Sequence, residues 1–238
     1  MVKRVRPPIL VVALSLTVAA TVIGGAVWAI RRNAAPVIAT DLEHLGRYGE
    51  VPAFALTERS GRRVTLESLR GLVWVADFIY TECTESCPTQ SLQFAQLQRE
   101  FASEPDLRLV SITVDPAHDT REVLGRYAER YGATERWWFL TGDKRVIYCL
   151  AREGFRLGVV DPRVSEPLEC GSRSWLLPPP VWASHGSQGL VMHSARVVLV
   201  DPAAQIRAYA VATDADSMKV LLTNLRAVLS EARQSRGG

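Results

Sequence analysis

The run Leu72–Tyr80 (LVWVADFIY) is almost uninterrupted in apolar and aromatic side chains. A strand with one wet face would alternate, so this pattern belongs to a strand covered on both faces inside a sheet flanked by helices. The run points directly at Cys83 and Cys87. Pro88, just beyond them, suits the first position of a helix over Pro88–Phe101, where its missing N–H costs nothing. Cys87 would then cap that helix.

The remaining chain follows the same grammar. Phe54 and Leu56 alternate with smaller or polar residues up to the turn signal Ser60-Gly61, an opening hairpin, before a short helix capped by Thr65 and closed at Gly71. A second buried strand, Leu107–Val114, leads to a helix over Thr120–Tyr131, with Asp119 and Glu122 spaced as a capping box and Gly132 at its end. Trp137–Leu140 is a short third strand, followed by a helix over Asp143–Glu153. Arg196–Val200 and Ile206–Val211 flank an Asp201-Pro202 turn, and a last helix starts near Asp214. This order predicts an α/β domain of thioredoxin-like topology, a central mixed sheet with helices on both faces, over residues 48–232, with a short tail at 233–238. Residues 159–190 are rich in Pro and Gly, including Pro178, Pro179 and Pro180. They predict a long loop, and such loops are often functional.

Ahead of the domain, Ile9–Ile30 carries no charged residue and exceeds the about 20 residues a helix needs to cross a bilayer core. It is expected to be a transmembrane anchor rather than a cleaved signal peptide, whose apolar region runs only about 7 to 15 residues. Lys3, Arg4 and Arg6 before the span outweigh Arg31 and Arg32 after it, which keeps residues 1–8 cytoplasmic and places the domain outside, behind a linker at 31–47. The lack of an Arg/Ser-rich transit segment favours a bacterial plasma membrane. Without residues 1–32 the chain holds 23 basic residues against 25 acidic ones. The exported part is thus not basic, and nucleic acid is excluded as a partner.

Cys83 and Cys87 have three residues between them and stand before a helix N-terminus, whose unpaired N–H groups and positive dipole end favour thiolates. That position suits a nucleophile and a metal ligand equally. Thioredoxin-type oxidoreductases use two intervening residues and a cis-proline opposite the pair, whereas Met192-His193 occupies that approach here. Two thiolates with an imidazole form a soft, low-coordinate set suited to Cu(I) and able to hold Cu(II), while structural zinc would want a fourth ligand. A plain Cys83–Cys87 disulfide is the alternative outside the membrane.

The segment TECTESCP (Thr81–Pro88) resembles the T-x-C-x-x-x-C-P signature of the Sco/SenC family of cytochrome c oxidase assembly copper proteins. VDPAHDT (Val114–Thr120), WWFLTG (Trp137–Gly142) and MHSARVVLVDP (Met192–Pro202) are similar to further segments of that family, in the same order. The resemblance implies that Cys83, Cys87 and His193 are the copper ligands. It further implies that the protein delivers copper to the dinuclear centre of cytochrome c oxidase subunit II, or to another copper acceptor, and depends on an upstream thiol reductant. His44 and His118 read as solvated surface residues, and His185 as incidental to its loop. Met192 stands where the family often has an acidic residue and reads as core filler. Asp115 and Asp119 are, on local grounds, a turn former and a helix cap, although the family places a supporting carboxylate near its site. Cys149 and Cys170 fall outside the signature and could form an accessory disulfide tethering the long loop, or remain two thiols.

Two enzymatic readings stand beside copper delivery. Cys83 and Cys87 could be the redox pair of a thiol-disulfide reductase that keeps partner cysteines reduced. A peroxiredoxin-type peroxidase shares the fold but has no need of His193.

Overall fold

In the computed structural model, the apolar run forms the strand Val73–Ile79 with all seven residues buried. The structure describes residues 41–157, 159–160, 170, 192–193 and 195–237. The predicted membrane span at 9–30, the linker before residue 41 and most of the 159–190 insertion, with His185, lie outside the described residues. Among the described residues no helix is long and apolar enough to cross a membrane.

Numbered along the chain, the strands are β1 (Ala55–Glu58), β2 (Arg63–Thr65), β3 (Val73–Ile79), β4 (Leu107–Thr113), β5 (Trp137–Thr141), β6 (Val159–Val160), β7 (Met192–His193), β8 (Arg196–Val200) and β9 (Ile206–Val211). The α-helices are α1 (Ser86–Glu100), α2 (Arg121–Arg130), α3 (Lys144–Cys149) and α4 (Ala215–Gly237). Seven strands form one mixed sheet in the order β2-β1-β5-β4-β3-β8-β9, and β6 pairs with β7 apart from it. β3, β4 and β5 are parallel, and β8 runs antiparallel to β3.

Helices cover both faces, as expected for a thioredoxin-like domain. On one face Phe94 of α1 meets the Trp137 ring at 5.7 Å, and Ser91 shares a 2.8 Å hydrogen bond with the Tyr127 hydroxyl of α2. On the other face α3 passes into a π-helical turn, Leu150–Gly154, which delivers Phe155 edge-on to Trp74 and Phe78 at 5.8 and 5.5 Å. Gly154 is required there, because a Cβ would meet Pro52 Cδ at 2.8 Å.

Several ends differ from the sequence-based expectation. α1 begins at Ser86, so Cys87 lies inside the first turn and Glu85 takes the cap position. α2 is capped by Thr120, whose hydroxyl accepts from the Val123 N–H at 3.4 Å, and not by Asp119. The reason is that the Asp119 carboxylate is engaged elsewhere. α4 continues through residues 233–237, where Arg233 and Arg236 reach Glu104 at 2.5 Å and Asp106 at 2.6 Å. Residues 41–43 form a 3-10 turn whose Glu43 accepts a 3.0 Å hydrogen bond from Ser217 of α4. Cys149 and Cys170 form the accessory disulfide.

One charge interrupts β3. Asp77 is fully buried, and neither carboxylate oxygen has a hydrogen-bond partner of normal geometry. The Ser111 hydroxyl on β4 lies level with it in the ladder but already accepts the Trp137 indole N–H at 2.9 Å. Burial raises the Asp77 carboxyl to about 7, with Ser111 and its own backbone N–H offsetting part of the rise.

Two stability predictions follow from these contacts. The folded protein holds the Asp77 proton more tightly than the unfolded chain, so its contribution is greatest below about pH 4 and is lost as pH rises to about 7. Asp77→Asn has no charge to bury, and its stability relative to wild type should therefore grow by up to about 4 kcal/mol between pH 4 and 8. Urea unfolding at the two pH values measures this, and an unchanged difference would show that Asp77 does not titrate in that window. Second, the Cys149–Cys170 bridge spans 21 residues, so a Cys149→Ser/Cys170→Ser variant should lose about 3 kcal/mol in the same assay.

Candidate metal centre

The site forms where β3 runs out. Tyr80, the residue after it, remains buried, and its carbonyl accepts the Cys83 N–H at 3.2 Å, which folds the loop back over the strand end. Cys83 is 9% exposed and Cys87, inside the first turn of α1, is 0% exposed. The two are not joined in a disulfide. The Cys87 backbone N–H donates to Cys83 Sγ at 3.4 Å, so one of the orphan donors of the helix start is spent on the Cys83 sulfur.

The two sulfurs therefore differ in kind. Cys83, at the rim, has the donor that stabilises an anion. Cys87 lies below it, and burial, then the neighbouring Cys83 sulfur, push its thiol far above the ordinary range, with the Asp77 charge acting in the same direction. The expectation that the helix start favours the thiolate is reversed for Cys87, because depth outweighs the dipole. Burial and Cys83 also raise the Tyr80 hydroxyl, which stays protonated. A buried thiol of this kind releases its proton more readily as a cation arrives, since the metal–sulfur pair removes the bare charge that burial penalises. Two thiols so placed, soft and adjacent, suit a soft cation.

β4 is parallel to β3, so the segment that follows it emerges at the same end of the sheet. There the Asp119 carboxylate, 1% exposed, accepts from the Thr81 N–H at 3.1 Å, from the Thr81 hydroxyl at 2.5 Å and from the Thr113 hydroxyl at 2.5 Å. Burial still raises its pKa, with Thr113 and Thr81 opposing the rise. Asp115 lies 2.8 Å from Nδ1 of His118, whose side chain is exposed, and His44 is also exposed.

β8 enters the sheet at this end, three residues after His193. β8 pairs Val198 with Ala76 and Val200 with Trp74, so tracing the chain back from Arg196 leads beyond Ile79, toward the start of the cysteine loop. The backbone of β7 pairs His193 with Val159 and Met192 with Val160. The His193 side chain lies outside the described residues, and among the described residues no three His, Cys, Asp or Glu side chains converge on one point. Cys83 and Cys87 are thus brought together, with the His193 backbone at the same end. Sequence reasoning missed the Asp119 clamp and the buried Asp77. The signal for Asp77 was present, as the lone charge in an apolar strand, whereas the partners of Asp119 are distant in sequence.

The SCO1/SenC family model matches residues 43–174, more than half of the chain, a span that contains both cysteines and ends before His193. The SCO1 protein homolog of Bacillus subtilis is 35% identical over 133 residues, which cover 55% of this chain and 69% of that protein. Alignments with the mouse and human mitochondrial homologues span less than half of those proteins. Among solved structures, BsSco, described as a member of the Sco family of cytochrome c oxidase assembly proteins with a disulfide switch, is similar at 25% identity and a TM-score of 0.59, covering 78% of this chain and 96% of that one. Arabidopsis thaliana ScoI with copper bound shares the fold at 23% identity and a TM-score of 0.56, covering 78% of this chain and 99% of that one. With the family model matched over more than half of the chain, this chain belongs to the SCO1/SenC family.

Proposed function

We propose that the protein is a copper-binding assembly factor that holds copper through Cys83, Cys87 and His193 and passes it to the dinuclear copper centre of cytochrome c oxidase subunit II. The observation that carries this reading is the pair of adjacent, unbridged cysteines at the end of β3, both buried, with Cys83 nearer the surface than Cys87. Membership of the family supports it, as do the copper held by Arabidopsis ScoI and the assembly role named for BsSco. In this reading Ile9–Ile30 anchors the chain in a bacterial plasma membrane with the domain outside, facing its recipient.

Copper would supply the positive charge that lets Cys87 ionise. Cys87 is then the ligand that retains the ion, and Cys83, nearer the surface, is the one an incoming thiolate displaces. A low coordination number favours such exchange over a closed cage. An upstream thiol reductant keeps the pair reduced.

The unequal cysteines also favour a second reading, thiol-disulfide reduction of a partner. The Cys83 thiolate attacks a partner disulfide, forming a mixed disulfide and releasing one partner thiolate. Cys87 then passes its proton to the released partner thiolate and attacks Cys83 Sγ, breaking the mixed disulfide, which leaves a Cys83–Cys87 disulfide and a fully reduced partner. The two roles are compatible in one protein.

Anaerobic Cu(I) titration of the reduced full-length chain in detergent tests the copper reading. Wild type should bind a single ion, Cys83→Ser and Cys87→Ser should abolish tight binding, and His193→Ala should weaken it by about tenfold or more. Absence of copper binding by wild type, or equal binding by His193→Ala, would refute the three-ligand site.

A further inference from the structure

Asp119 is a buried carboxylate with no use in the roles assigned so far. Its three hydrogen-bond donors come from two separate segments: the N–H and hydroxyl of Thr81 in the cysteine loop, and the hydroxyl of Thr113 at the end of β4. Among the described residues no Lys, Arg or His pairs with it, so these donors carry the compensation for burying its charge.

The carboxylate is itself firmly held. Its backbone N–H donates to the Asp115 carbonyl at 2.9 Å, and the Asp115 N–H donates to the Thr113 hydroxyl at 3.0 Å. Thr113 belongs to β4, which is hydrogen-bonded to β3 along its whole length. A continuous chain of contacts therefore runs from the sheet through Thr113 and Asp119 to Thr81, two residues before Cys83. The other anchor of the loop is the start of α1, where Cys87 is fixed by burial. Between these anchors only Glu82 to Ser86 remain to set the height and direction of the Cys83 sulfur.

We propose that Asp119 is a positioning residue, which clamps Thr81 to β4 and thereby fixes the Cys83 loop at the spacing from Cys87 that one metal ion, or one disulfide, requires. This deepens the copper reading and rests on it for the metal, but the clamp acts equally on the cysteine pair itself. Asp119 is not a ligand, since both of its oxygens are occupied by the clamp. Asparagine is nearly the same size yet offers a single acceptor oxygen and turns an amide N–H₂ toward a donor, so Asp119→Asn should release the loop. Thr113→Val removes only the β4 side of the clamp, with little change in volume.

The test compares wild type, Asp119→Asn and Thr113→Val as full-length chains. It reads Cu(I) affinity, the thiolate-to-copper charge-transfer band of the Cu(II) form, and the Cys83/Cys87 dithiol–disulfide equilibrium against dithiothreitol. Asp119→Asn should lose about tenfold or more in affinity, with a displaced band and about a tenfold shifted equilibrium, and Thr113→Val should fall between. Wild-type affinity, band and equilibrium in Asp119→Asn would overturn the proposal. So would a loss that matches the unfolded fraction, measured by circular dichroism, while the folded fraction keeps its band and equilibrium. Should Asp119→Asn not fold, Thr113→Val decides by the same criteria. If wild type binds no copper, the copper reading falls, and the dithiol equilibrium alone judges the clamp.

Discussion

Everything at the metal centre depends on the hydrogen-bonded ladder of β3 within the sheet. Because β3 is paired to β4 on one side and β8 on the other, and is sealed by helices above and below, it cannot slide: a shift by one residue would exchange its two side-chain sets between faces. Strand directions then do the assembling. The loop after β3, the loop after β4 and the chain entering β8 all fall at one end of the sheet. Cys83, Asp119 and the backbone of His193 are gathered there although they are far apart in sequence.

That ladder also carries the cost of the site. A charge in the middle of a strand buried on both faces opposes folding above about pH 7, and the same burial keeps Cys87 protonated. The resting form therefore holds Cys87 as a thiol beside a protonated or marginally ionised Asp77 carboxyl. Positive charge entering the site relieves the electrostatic penalty on Cys87, so the centre is built to be more comfortable loaded than empty.

The fold was largely legible in the chain because its signals are local. Leu72–Tyr80 announced β3, the Asp201-Pro202 turn marked the β8–β9 hairpin, and Gly132 closed α2, where it adopts φ +65°. Expectations failed where a side chain had a distant partner. Asp119 looked like a helix cap because Ser, Thr, Asp and Asn cap helices by the same local hydrogen bond, and only the sheet reveals that Thr81 and Thr113 claim it first. Cys87 looked activated because its place near a helix start is visible in sequence, whereas its depth is set by the packing of α1, with Phe94, against the sheet. The Cys149–Cys170 bridge stood as one of two options, since spacing alone cannot bring two sulfurs together.

The end of α4 has a consequence of its own. Arg236 binds Asp106 and the Gly71 carbonyl, which lie beside the start of β3, while the cysteines lie beyond its other end. A seven-residue strand spans about 23 Å. The carboxyl-terminal edge of the domain therefore faces away from the sulfurs by that length, which leaves it available for a fluorophore or an affinity handle that would not crowd a protein docking over the cysteine loop.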